Sequence, residues 1–301
     1  MSVTVRVPAK VNVQLAVGAA RADGFHDLAN VFLAVGLYDE VTVTPADGLR
    51  VTCVGPDAGQ VPLDRTNLAA RAAIALAERY GRTPDVHLHI AKDIPVAGGM
   101  AGGSADGAGA LLACDALWGT GASREELLGI CAELGSDVPF SLVGGAALGT
   151  GRGERLTALE AGGSFHWVFA MAERGLSTPA VFREFDRLAE GREVPEPVAS
   201  RHLLDALAEG DPDALAATLS NDLQPAALSL FPELADTLAA GRAAGALATL
   251  VSGSGPTTAH LARDPDAAVK IAEALRVSGT CKDVRVAAGP APGATVVGGA
   301  R

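Results

Sequence analysis

Ile94-Pro95-Val96-Ala97-Gly98-Gly99-Met100-Ala101-Gly102-Gly103-Ser104-Ala105-Asp106 places four glycines and a serine directly ahead of an Ala/Leu-rich run of helical composition. Chain without Cβ atoms can turn its N–H groups into a concave nest and approach an anion closely, and the helix that follows adds a partial positive end. A glycine-rich stretch alone is often a plain surface loop. At a helix start it predicts a cradle for a polyphosphate instead. No Gly-Lys-Ser/Thr follows the glycines, so this is not the common P-loop. Neither Gly-x-Gly-x-x-Gly nor a strand running straight into the loop is present, which disfavours a dinucleotide fold.

The surrounding chain is that of a globular protein. With 301 residues, 49% of them hydrophobic, it can bury a large core, and its length suggests two domains. A net charge of −11 argues against a general nucleic-acid-binding surface and asks any anionic ligand to be met by focused positive charge. No apolar run approaches a membrane span, and residues 1–7 alternate like a strand rather than a signal peptide, so no membrane partner and a cytoplasmic location are expected. Cys53, Cys114, Cys131 and Cys281 are scattered without a Cys-x-x-Cys pair and are expected to be buried thiols.

Alternating apolar residues predict strands at 3–7, 11–17, 41–44, 49–54 and 86–90. Helical spacing covers 67–80, and Ser123-Arg124-Glu125-Glu126 is a capping box opening a helix that stops near Gly135. After Gly144-Gly145 come a short apolar strand, the turn Gly151-Arg152-Gly153-Glu154 and a new strand at 165–171. Helices are expected near 178–189, 200–209, 212–220, 232–243 and 265–276, with strands at 246–251, 258–262 and 284–288. The irregular mixture is α+β. The expected division is an N-terminal domain over 1–160, a C-terminal domain over 161–288 and a poorly ordered Gly/Pro/Ala-rich tail over 289–301.

Phosphoryl transfer asks for a cradle, a cation and a group that takes the acceptor's proton. Besides the loop, the sequence offers Lys10 in Pro8-Ala9-Lys10-Val11-Asn12 and Asp137 in Gly135-Ser136-Asp137-Val138-Pro139. Strand alternation puts Lys10, Asn12 and Gln14 on one face. Taken singly, Lys10 reads as solvated surface and Asp137 as a helix cap. A further Gly/Ser turn, Ser252-Gly253-Ser254-Gly255-Pro256, follows an expected strand and suggests a nucleotide between the two halves. His87 and His89 lack a third metal-like ligand and are taken as ordinary strand residues. Lys92, just before the loop, is a candidate to reach the nucleotide.

The lysine motif, the glycine loop and the aspartate motif, in that order along the chain, resemble the GHMP kinase superfamily, and the resemblance extends over almost the entire chain. Met100 and Ala101 stand where Leu and Gly are common. The resemblance implies a two-domain fold, with an N-terminal domain like ribosomal protein S5 domain 2 and a C-terminal ferredoxin-like α/β sandwich. It also implies ATP bound by Pro95, Val96, Ala97, Gly98, Gly99, Met100, Ala101, Gly102, Gly103, Ser104 and Ala105, with Mg2+ accompanying it and Ser104 as a candidate ligand. Lys10 and Asp137 become the catalytic pair.

Within the superfamily, residues 8–12, 135–140 and Arg21-Ala22-Asp23-Gly24-Phe25-His26-Asp27-Leu28 are similar to the members that phosphorylate the 2-hydroxyl of 4-diphosphocytidyl-2-C-methyl-D-erythritol on the non-mevalonate isoprenoid route. That similarity makes Asn12, Phe25, His26, Thr178 and Phe182 substrate residues. Phe25 replaces a common Tyr, keeping a ring to stack on cytosine, and His26 can bond the edge of the base. Homoserine-type or mevalonate-type kinases, and a catalytically silent nucleotide-binding regulator on the same fold, are the competing expectations. Intact Lys10 and Asp137 count against the silent regulator.

Overall fold

In the computed structural model, which describes residues 2–96 and 98–299, the N-terminal half is built on one long antiparallel pair. The strands β1 (Val3–Ala20) and β2 (His26–Pro45) pair along most of their length. The two short strands expected at 3–7 and 11–17 merge into one, because irregularities at Pro8/Ala9 and Asn12/Gln14 absorb the missing proline donor without ending the ladder. β3 (Arg50–Val54), β4 (Val86–Ala91), β5 (Ala146–Thr150) and β6 (Arg155–Leu159) extend this sheet.

Helices α1 (Leu68–Arg79), α2 (Gly102–Trp118), α3 (Arg124–Leu134) and α4 (Val138–Val143) accompany it. Asn67 caps α1 through its side chain, and Ser123 with Glu126 forms the expected capping box on α3. α2 is rich in glycine and alanine because it lies against its neighbours at close range. A Cβ on Gly109 would sit 2.9 Å from methyl groups of both Val7 and Val41, and one on Gly107 would be 3.4 Å from Leu68. These small residues set the depth of α2 on the sheet and hence the position of its N-terminus.

The second sheet holds β7 (Phe165–Met171), β9 (Ala248–Val251), β10 (Thr258–Ala262) and β11 (Asp283–Gly289) in the order β11-β7-β10-β9. All its pairings are antiparallel, the order of a ferredoxin-like sheet. The helices α5 (Thr178–Ala189), α6 (Arg201–Glu209), α7 (Pro212–Ala216), α8 (Gln224–Leu230) and α9 (Leu234–Ala243) lie in sequence between β7 and β9, and α10 (Pro265–Ser278) lies between β10 and β11. Residues of both sheets, among them Val11, Leu33, Trp167 and Leu261, share one hydrophobic core.

Two expectations are corrected. The helix expected over 212–220 ends at Ala216, and Ser220–Asn221 (β8) instead pairs in parallel with Gln14 and Leu15. The tail expected to be loose forms β12 (Thr295–Gly299), which pairs antiparallel with residues 3–6 of β1. Its glycines and prolines permit close approach instead of disorder: Ala291 exchanges backbone bonds with Ala34 and Gly145, and a Cβ on Gly144 would meet the Gly293 nitrogen at 2.0 Å.

Gly109→Val is expected to cost about 1–3 kcal/mol of stability through overpacking of α2 on β1 and β2. A urea midpoint equal to that of the unsubstituted protein would show that α2 does not need this closeness.

Candidate active site

Lys10 comes from the middle of β1 and is 4% exposed. Its Nζ donates to Asn12 Oδ1 at 2.6 Å and to the Gly99 carbonyl at 3.0 Å, and it lies 3.7 Å from Asp137 Oδ2. The Phe32 ring lies 5.8 Å beneath it. Burial holds the Lys10 ammonium below the ordinary lysine pKa, and the neighbouring Asp137 charge offsets part of that effect. Asn12 passes the network on, its Nδ2 donating to Asn30 Oδ1 at 2.6 Å.

Asp137 occupies the N-cap position just before α4, yet its side chain makes no capping bond, so the plain capping role does not account for it. The carboxylate, 32% exposed, faces Lys10 instead. Gln14, expected on the same face as Lys10 and Asn12, is turned elsewhere by the register shift after Asn12. It bonds Val198 O and Ser200 N at 2.9 and 2.8 Å and ties β1 to the C-terminal half.

Across a cavity of about 840 Å³ lie Gly98, Gly99, Ala101, Gly102, Gly103 and Ser104. Ala101 precedes α2 with φ 61°, the one non-glycine residue at positive φ among those described, and no side chain caps this helix. The first-turn N–H groups are thus left for a ligand, in the setting where anions bind best. This uncapped, Cβ-poor turn fits a nucleotide's phosphates. Met100 and Ala105 are wholly buried in the core, and Pro95 and Val96 do not line this cavity. Ala97 lies outside the described residues.

The Gly/Ser turn after β9 interlocks with the loop. Ser252 Oγ donates to the Gly99 carbonyl at 3.2 Å, and a Cβ on Gly99, whose φ is +74°, would lie 2.0 Å from the Ser252 backbone carbonyl oxygen. Gly253, Ser254 and Gly255 also line the cavity. Ser254 shares a 2.8 Å hydroxyl–hydroxyl bond with Thr178.

At the far end of the cavity His26 and Phe182 approach with ring centroids 4.9 Å apart, and His26 Nε2 donates to Asp186 Oδ1 at 2.8 Å. Phe25 lines the same end and is 49% exposed, large for an aromatic ring without a partner surface. Asp186 and Asn30 were missed in the sequence. Asp186 sits one helical turn after Phe182 on α5, a spacing that could have found it.

Lys92 does not reach the cavity. It is buried under the loop, where its ammonium pairs with Asp39 and with Asp106 Oδ2 at 2.9 Å. Asp39 also accepts the Asp93 and Ile94 amides at 2.7 and 2.9 Å. Two carboxylates share one ammonium, and Asp106 Oδ1 has no partner among the described residues. Burial, reinforced by the Asp39 charge, pushes the Asp106 carboxyl up to about 8 against the pull of Lys92.

Family models describe residues 67–145 as the GHMP kinase N-terminal domain and 203–279 as the GHMP kinase C-terminal domain. A 4-diphosphocytidyl-2-C-methyl-D-erythritol kinase of Streptomyces coelicolor is 84% identical over 298 residues, 99% of this chain and 100% of that protein. This chain belongs to the 4-diphosphocytidyl-2-C-methyl-D-erythritol kinase family of GHMP kinases. A crystal structure of 4-(cytidine 5'-diphospho)-2C-methyl-D-erythritol kinase, 35% identical, superposes with a TM-score of 0.76 over 98% of this chain and 100% of that one. A homoserine kinase from Cytophaga hutchinsonii gives a TM-score of 0.77 over 98% and 97% of the two chains at 22% identity, a likeness of fold alone. As a GHMP kinase the chain uses ATP.

The Asp106 proton carries a pH signature. Its folded pKa lies above the value of about 3.9 for a free Asp, so its contribution to stability is complete below that value and is lost as pH rises through about 8. Asp106→Asn keeps an acceptor for Lys92 and cannot ionise. Urea midpoints are expected to fall from pH 5 to pH 8 for the unsubstituted protein relative to this variant, and parallel profiles would contradict a protonated Asp106.

Proposed function

We propose that this chain transfers the γ-phosphoryl group of ATP to the 2-hydroxyl of 4-diphosphocytidyl-2-C-methyl-D-erythritol, with Lys10 and Asp137 as its catalytic residues. The observation that carries the reading is the facing pair: an ammonium-bound carboxylate on one wall of a cavity, an uncapped glycine-rich helix start on the other. Asp137 accepts the proton of the acceptor hydroxyl. That oxygen forms the new bond to the γ-phosphorus as the bond to the β,γ-bridging oxygen breaks, and ADP departs. Lys10 keeps positive charge beside the carboxylate and the attacking oxygen.

The amides at the start of α2, with Gly98 and Gly99 behind them, receive the triphosphate. Mg2+ belongs to the proposal: the phosphate oxygens with the Ser104 hydroxyl would hold it, and it would neutralise charge on the β and γ phosphates. Phe25 and Phe182 offer faces to the cytosine, while His26, its tautomer biased by Asp186, bonds the base edge. Asn12 and Thr178 complete the acceptor site. The division of labour follows the two domains, 1–160 for chemistry and 161–288 for closing the cleft. The four free thiols accord with a reducing, cytoplasmic setting.

Asp137→Asn is expected to lower kcat by about 10²–10⁴-fold with the acceptor KM changed little. Phosphorylation at the original rate would contradict the assignment. The kcat/KM profile should fall on the alkaline side as Lys10 loses its proton, at a pH below the free-lysine value of about 10.4. An activity level through that range would remove Lys10 from the mechanism. Replacing the acceptor's cytosine by uracil should raise KM, whereas equal use of both would remove His26 from base recognition.

A further inference from the structure

Arg152 stands in the turn Gly151-Arg152-Gly153-Glu154, which the family motifs leave without a role. Its guanidinium carbon lies 5.1 Å from the centroid of the Phe25 ring, and the residue lines the cavity. The turn that presents it is built for the purpose. Gly151 and Gly153 take φ of +68° and +105°, the Glu154 carboxylate accepts the Arg152 amide at 2.7 Å, and the Gly151 carbonyl accepts the Leu28 amide of β2 at 2.8 Å.

Glu154 serves the backbone of the turn, and its other side-chain neighbour is Arg155, 3.9 Å away. Among the described residues no carboxylate pairs with the Arg152 side chain. Of the other charged groups lining the cavity, Lys10 has Asp137 and His26 has Asp186, while Arg183 on α5, also without a carboxylate partner among the described residues, is exposed to solvent. Arg152 is therefore a half-buried cation without a counter-charge, resting on an exposed aromatic ring.

Its place along the cavity says which anion it suits. A Cβ on Gly153 would lie 3.9 Å from the Ser136 side chain, so the turn abuts the residue before Asp137, while Arg152 itself reaches Phe25. The turn is thus anchored beside the residue before Asp137, while the guanidinium it carries lies at Phe25 on the same cavity. An acceptor that puts its base on Phe25 and its hydroxyl at Asp137 carries its diphosphate through the interval between them.

Resting on the function proposed above, we infer that Arg152 is a substrate-binding residue that holds the acceptor's diphosphate while its guanidinium stacks on Phe25. A planar guanidinium can do both at once, giving two N–H donors to phosphate oxygens and its face to the ring.

The test separates the anion contact from simple support of Phe25. Binding of CDP and of cytidine is measured on the full chain and on Arg152→Met and Arg152→Lys, together with acceptor and ATP kinetics. The expected result is that Arg152→Met weakens CDP by about tenfold or more, the scale of a charge-assisted hydrogen bond, with cytidine changed far less. The acceptor KM should rise while the ATP KM and kcat hold. Added salt should weaken CDP binding less in the variant, and Arg152→Lys should recover part of the CDP affinity.

Equal weakening of CDP and cytidine would overturn the inference, leaving Arg152 as a prop for the ring. Unchanged affinity for both would overturn it as well. If the unsubstituted chain binds neither ligand and does not turn over the cytidyl acceptor, the functional reading itself has failed. That outcome is distinct from a fault at Arg152.

Discussion

A lysine ammonium held out of water must be matched by partners, since an unpaired buried charge costs several kcal/mol. At Lys10 those partners come from separate parts of the chain: Asn12 on its own strand, the Gly99 carbonyl in the loop and Asp137 at the start of α4. Satisfying this one charge therefore fixes the loop and the carboxylate relative to each other. The Gly99 carbonyl can turn toward Lys10 only because Gly99 lies at positive φ with the Ser252 backbone carbonyl oxygen packed where a side chain would be. The same carbonyl receives the Ser252 hydroxyl, so the second half of the chain is fastened to the same point.

Small residues translate that constraint into a binding surface. Glycine at 107 and 109 lets α2 settle deeply between α1 and the sheet, which brings its uncapped first turn to the cavity rim. Under that turn the Asp39, Lys92 and Asp106 cluster holds the segment between β4 and α2. The strain of Ala101 in the left-handed region is tolerated within this frame. A loop of ordinary flexibility would lose entropy on receiving a triphosphate, whereas this one is ordered by contacts made in advance.

Much of this arrangement was legible in the residues. The glycine loop, the capping box at Ser123, the strands of the second sheet and the pairing of Lys10 with Asp137 all follow from local pattern or motif. What was not legible depended on register and on distant partners. The shift after Asn12 sent Gln14 to Val198 and Ser200, which alternation cannot foresee. The Lys92 ammonium was drawn under the loop by Asp39, a residue from β2 far away in sequence. The Gly/Pro-rich tail became a strand because residues 3–6 of β1 offered a free edge, something composition does not record. Met100 and Ala105 belong to the loop's sequence but not to its cavity face, since their side chains sit in the core, and Pro95 is likewise buried away from the cavity.

The fold alone does not select a substrate: a homoserine kinase superposes as well as a cytidyl-substrate kinase does. Selection has to reside in side chains carried on the shared scaffold, and the proposal places it at Phe25, His26, Phe182 and Arg152, which line the cavity. The central claim is that one network around Lys10 aligns donor and acceptor. It is tested most directly by a crystal structure with a non-hydrolysable ATP analogue and the cytidyl acceptor bound together. The account expects the γ-phosphorus at the start of α2, about 3–3.5 Å from an acceptor hydroxyl that is hydrogen-bonded to Asp137. A triphosphate seated away from that helix start, or an acceptor whose hydroxyl lies beyond reach of Asp137, would contradict it.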